Sequence, residues 1–264
     1  MQMRRWLVSL LVVSALVAGG CSPQETSPSP SDSSSAATTP SASATPVSSP
    51  GPANLPRLEG KATVELTVKG GKPITIEVDG TNAPITAGNF VDLVQQGVYD
   101  GLVFHRVIRE PQPFVVQGGD PQSKDPNFPL EQLGTGGFVD PATGQPRNIP
   151  LEIKPEGSAS PVYGKTLDTA GIAAAPQLKH TRGAVAMARA SIPDSASSQF
   201  YVALTDLKFL DRDYAVFGYV TQGMDVVDKI QQGDRIESAK VTKGIENLKQ
   251  GGAAATPSPS PSPQ

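Results

Sequence analysis

The stretch at 104–120, FHRVIREPQPFVVQGGD, carries the side chains best suited to chemistry: Arg106 and Gln117, a permanent charge and an amide, each set among apolar neighbours and separated by a proline-containing kink. A charge in apolar surroundings is costly unless it has a partner or a task. The stretch offers no nucleophile. Elsewhere the usual catalytic sets fail on spacing. The glycine-flanked serine of a nucleophile elbow is absent, and the chain has only 2 His and 1 Cys. YGKT at 163–166 resembles a phosphate loop, but Ala159 stands where that motif needs its first glycine. GTGG at 134–137 lacks the third glycine of a dinucleotide fingerprint and reads as a flexible loop. His105 and His180 are far apart and belong to no ligand cluster, so neither a metal nor any other cofactor is expected. His105 reads as a partly buried, hydrogen-bonded strand imidazole, and His180, beside Lys179, as a surface residue.

Elements able to position Arg106 and Gln117 can be read from periodicity. ATVELTVKGGKPITIEV alternates apolar and polar residues on both sides of Gly70-Gly71, the pattern of a β-hairpin. From Asn82 the period changes, with Phe90, Leu93 and Val94 at helical spacing. Asn82 suits a cap, Pro84 the first turn and Gly97 the stop, which predicts a helix over 84–96. LVFHRVI, FVVQGG, RGAVAMARA, SQFYVALT, YAVFGYVTQG and AKVTKGIENL read as further short strands. MDVVDKIQQG places Val226, Val227 and Ile230 on one helical face. Many short strands with two helices predict an all-β-dominated fold, a closed antiparallel barrel plugged at its ends, since closure removes exposed edges.

Composition bounds the domain. Residues 1–20 have Arg4 and Arg5, an apolar run too short to span a bilayer and small residues up to Gly20, the pattern of a signal peptide. Cys21 follows directly, as the lipidated cysteine of a bacterial lipoprotein would, which predicts a membrane anchor and an extracytoplasmic location. A lone cysteine can form no intrachain disulfide. The 21–56 segment and the 250–264 tail are rich in Ser, Pro, Thr and Ala, so they read as disordered linker and tail. A 57–249 domain remains, a comfortable size for one core. The net charge of -3, with no basic run, argues against a nucleic-acid partner. A monomer is the default.

Three blocks in order, FHRVI with FVVQGGD, MARA leading to SQFYVAL, and FLDRDYAVFGYV, together with NFVDLVQQGVYDGLVFHR, make the 57–249 domain resemble a cyclophilin, a peptidyl-prolyl cis/trans isomerase. The resemblance implies an eight-stranded antiparallel barrel with two capping helices. It implies Arg106 as catalytic arginine and Gln117 as the glutamine that aligns the substrate. Phe114, Val115, Tyr201 and Leu210 would line the proline pocket, and Ala188, Arg189 and Gln199 would border the groove for the preceding residues. Two positions depart from the eukaryotic pattern: Phe209 stands in place of tryptophan and Tyr214 in place of histidine. Both keep an aromatic wall, while loss of the indole donor implies weak inhibition by cyclosporin. Extra loop at 109–113, 121–150 and 157–180 is expected to be surface elaboration.

Such a reaction accounts for a charge and an amide without a nucleophile. Rotation about an X-Pro bond faces a barrier near ~20 kcal/mol because amide resonance resists twisting. No covalent bond need break. A fixed donor aimed at the nitrogen, which regains a lone pair as the amide twists, stabilises the transition state selectively. The implied substrates are proline-containing polypeptides, and the signal segment makes these exported or envelope proteins. The alternative is a peptide-binding chaperone or assembly module that keeps the groove and turns over negligibly.

Overall fold

A computed structural model describes residues 53–251. The 1–20 signal segment, Cys21, the 21–56 linker apart from 53–56, and the tail beyond Gly251 lie outside the described residues. Within them, Leu55 and Pro56 are already buried.

The hairpin forms as its alternation requires. Strands β1 (Lys61–Val68) and β2 (Pro73–Asp79) pair antiparallel, with Ala62, Val64 and Leu66 opposite Val78, Ile76 and Ile74. All six are buried on one face. Gly70 supplies the left-handed turn residue, at φ 77°. Helix α1 (Pro84–Gln95) then packs Ile85, Phe90, Val91 and Leu93 into the same core. Its cap differs from the sequence reading. The Asn82 side chain donates to Asp79 instead, and the free amides of Ile85 and Thr86 donate to the buried carboxylate of Glu152 at 3.1 and 2.7 Å. A helix start can be satisfied by any acceptor that reaches it, and here the acceptor comes from far along the chain.

Six more strands complete the main sheet: β3 (Arg106–Val107), β4 (Val115–Gly118), β5 (Ala184–Met187), β6 (Phe200–Ala203), β7 (Val216–Gln222) and β8 (Ile236–Lys243). The order is β8-β1-β2-β7-β5-β6-β4-β3, antiparallel at every pairing. This is a β-dominated, curled sheet with two helices, and its ladder does not close as expected. Edge strands β3 and β8 do not pair with each other. LVFHRVI is too irregular to act as a full strand: between the edges lie the single bridge Val103↔Arg235 and hydrogen bonds such as Phe104 N to Asp234 O at 2.8 Å. The second helix, α2 (Met224–Val227), is one turn long, with Val227 and Ile230 buried and Val226 partly so.

Period two sends the central strands' residues to two different places. Val116, Val185, Met187, Phe200 and Val202 point into the main core, where Phe90, Tyr99, Phe200 and Phe217 pack ring against ring at 4.9–5.4 Å. Val115, Ala184, Ala186, Tyr201 and Ala203 point to the opposite face and form a second apolar cluster under Phe114, Leu207, Leu210 and Tyr214. That second face carries the candidate site residues Val115 and Tyr201. A third cluster, Leu151, Ile153, Leu167 and Ala215, anchors part of the 157–180 loop.

Candidate active site

Strand register, rather than sequence proximity, brings the site together. Arg106 pairs with Gln117, Gln117 with Tyr201, and Tyr201 with Ala186, so these residues form one row across β3, β4, β6 and β5. Arg106 Nη1 donates to Gln117 Oε1 at 3.1 Å. Gln117 Nε2 donates to Gln199 Oε1 at 3.1 Å, and Gln199 Nε2 to the carbonyl of Gly136 at 2.7 Å. The chain of amides fixes the guanidinium from one side while Phe114 supports it from the other, with Cζ 5.5 Å from the ring centroid.

Beside this row lies a cavity of about 180 Å³ lined by Arg106, Phe114, Val115, Gln117, Ala188, Arg189, Tyr201, Leu210 and Tyr214. Whole-ligand pockets run from ~300 Å³ upward, so this is a socket for one side chain. Of the eleven catalytic and substrate-binding residues the sequence nominates, nine line it. Gln199 accepts from Gln117 and lines a larger cavity next to the socket. Phe209 stands at the rim, 70% exposed and stacked on Phe114 at 6.1 Å, outside the lining.

The socket's back wall has an interior support that the sequence reading placed on the surface. His180 is buried, with Nδ1 2.9 Å from Asp211 Oδ1 and Nε2 2.9 Å from the Tyr201 hydroxyl. Burial lowers its pKa below the usual imidazole range, opposed by Asp211. The neutral ring donates through Nδ1 to the carboxylate and accepts from the phenol at Nε2. Lys179 is half exposed, but its exposure says nothing of its neighbour. His105 is buried too, and burial likewise lowers its pKa, opposed chiefly by Asp120. Neither of its ring nitrogens has a protein hydrogen-bond partner, contrary to the sequence expectation.

The GTGG segment is not a free loop. The buried carboxylate of Asp120 accepts from the amides of Gly134 and Gly136 through Oδ2, at 2.7 and 3.0 Å, and from Gln122 through Oδ1. Gly136 is required by the approach: a Cβ there would come within 2.2 Å of Asp120 Oδ1. So tethered, residues 134–139 with Pro146 and Asn148 wall a second cavity of about 570 Å³, which shares Gln117, Ala188 and Arg189 with the socket. Part of the 121–150 insertion therefore walls a cavity, while most of its residues are exposed, as surface elaboration would be. QGGD, an aspartate placed directly after two glycines, was the available signal. The described residues contain no group of three or more His, Cys, Asp or Glu side chains able to hold a metal.

The family described as "Cyclophilin type peptidyl-prolyl cis-trans isomerase/CLD" matches residues 63–250. The chain is 45% identical over 210 residues to a protein named as a thylakoid lumen peptidyl-prolyl cis-trans isomerase of Synechocystis, covering 75% of this chain and 52% of that one. It is 41% identical over 212 residues to a chloroplastic peptidyl-prolyl cis-trans isomerase of Arabidopsis thaliana, covering 74% and 45%. The chain thus spans about half the length of these curated relatives. Among solved structures, a Cryptosporidium parvum cyclophilin type isomerase aligns over 69% of this chain and 98% of its own, at 21% identity and a TM-score of 0.48.

Proposed function

Since the chain belongs to the cyclophilin-type peptidyl-prolyl cis-trans isomerase family, we propose that its domain accelerates rotation about X-Pro bonds in polypeptides. Arg106 would act on the prolyl nitrogen from the wall of the apolar socket. The observation that carries the reading is the guanidinium's position: held by Gln117 and Phe114, it borders the cavity a pyrrolidine ring would fill.

The chemistry asks little more of the protein. An uncatalysed barrier of ~20 kcal/mol corresponds to roughly a hundredth of a turnover per second, and lowering it by about 7 kcal/mol gives about five decades. With the ring anchored against Phe114, Val115 and Leu210, twisting the amide pyramidalises its nitrogen. Arg106 then donates to the lone pair that appears. An arginine fork suits this because it is planar, rich in donors and permanently charged. Gln117 holds Arg106 in place and offers its amide to the substrate's carbonyl. Because the donors are already oriented, little reorganisation is needed at the moment of rotation.

The proposed setting is extracytoplasmic, with Cys21 as a lipid anchor and the Ser/Pro/Thr-rich segment from 22 to 54 as a spacer, since Leu55 and Pro56 are already buried in the domain. The relatives' names, thylakoid lumen and chloroplastic, support a location outside the cytoplasm. The proposed clients are exported proteins.

The test is exchange spectroscopy on a short Ala-Pro peptide with catalytic amounts of the protein. Cis/trans exchange should become fast enough to observe. Unchanged exchange at equimolar protein would overturn the reading.

A further inference from the structure

The socket and the neighbouring cavity are lined by just two charged side chains, Arg106 and Arg189, and both are cationic. They sit on a chain whose net charge is -3. Among the described residues, Arg147, Arg182 and Arg212 each form an ion pair with a carboxylate, and neither Arg106 nor Arg189 does.

Arg189 is held in place without being neutralised. Its Nε and Nη2 donate to the carbonyl of Asp213 at 3.0 and 2.9 Å, and Nη1 donates to the carbonyls of Ala190 and Ser191 at 2.8 and 3.3 Å. Its Cζ lies 4.6 Å from the Tyr214 ring centroid. Each partner is a carbonyl or a ring face. Asp213 offers its main chain rather than its carboxylate, Asp211 is engaged by His180, and Asp194 accepts from Leu151 N. Five N–H groups serve a guanidinium, and the four contacts leave one free.

We propose that Arg189 makes the groove selective for polypeptides with an acidic side chain, Asp or Glu, within the two residues preceding the proline. The inference rests on the isomerase reading. With the proline ring in the socket, a chain leaving it for the larger cavity crosses the boundary formed by Gln117, Ala188 and Arg189, which line both. A cation already fixed by carbonyls and a ring loses little conformational freedom when it meets a carboxylate. A lysine at the same place meets a like charge. Since Arg189 is partly exposed, solvent limits the preference to roughly fivefold for Glu over Lys, and salt should diminish it.

The experiment uses the full chain and peptides with one proline, carrying Ala, Glu or Lys at either of the two preceding positions. Exchange spectroscopy gives kcat/KM without a coupling protease. The wild-type protein should favour Glu over Lys by roughly fivefold at low salt. Arg189→Gln should bring that ratio near one, and Arg189→Lys should retain it. A clamp holding the 190–191 and 213 segments would be lost in both variants, whereas a charge is lost only in the first. A wild-type ratio near one, with measurable turnover of the Ala peptide, would overturn the inference and leave the isomerase reading standing. A ratio unchanged in Arg189→Gln would also overturn it. If no peptide is turned over, the isomerase reading fails, and the same ratio measured as Kd by peptide titration still decides the selectivity.

Discussion

An imidazole buried between a carboxylate and a phenol has its neutral form selected by its surroundings, and His180 is such a group. Burial lowers its pKa and that of His105. Both rings therefore stay neutral in the folded chain at pH values where the unfolded chain, with an ordinary pKa of about 6.5, is already taking up protons. The unfolded state then binds more protons, so stability is full above that pH and falls as pH drops through it. Each ring contributes at most about 1.4 kcal/mol per pH unit. Proton NMR should show both imidazoles titrating below 6.5 or not at all, and a resonance titrating at 6.5 or above would contradict this. A Tyr201→Phe variant leaves His180 Nε2 without its donor, and a loss of ~1–3 kcal/mol in denaturant unfolding should follow. At this scale Arg106 and Gln117 were legible because their neighbours carry a specific pattern. His180 was not, because its burial depends on Asp211 and Tyr201, which only folding brings to it.

Elements join across long stretches of sequence through single carboxylates. Glu152 caps α1, and Asp120 ties the 134–137 segment to the groove. Asp120→Ala should expose the amides of Gly134 and Gly136 to faster hydrogen exchange and cost ~1–3 kcal/mol of stability; unchanged protection of those two amides would show that the tether is not needed. Glu152→Ala should lower stability by about 1–2 kcal/mol, the usual range for a lost helix cap, while Asn82→Ala should change it much less. Equal effects would mean that the cap is misassigned. The hairpin and α1 could be read from the sequence because their periods are local. The cap, the tethered loop and the short, unclosed edge between β3 and β8 could not, since each depends on groups brought together by folding. Phe209 shows the same limit: an aromatic position is visible in sequence, but its place on the exposed rim is set by the turn that presents it.

The molecule as a whole divides its apolar residues between a core and a second face. Alternation along β4, β5 and β6 gives one set to Phe90 and Phe217 and the other to the socket. A β-dominated domain was readable from strand count and turns; which face would carry the site was not, because strands buried on both faces lose the alternation that would mark one as outer. In the proposed mechanism all of the chemistry lies on that face and depends on one guanidinium, that of Arg106. The most direct test compares the wild-type protein with Arg106→Ala in cis/trans exchange of an Ala-Pro peptide, with far-UV circular dichroism to show that both are folded. Loss of a preoriented transition-state donor predicts a fall in kcat/KM of about 100-fold or more, with peptide affinity little changed. A folded Arg106→Ala protein that retains the wild-type rate would contradict the account.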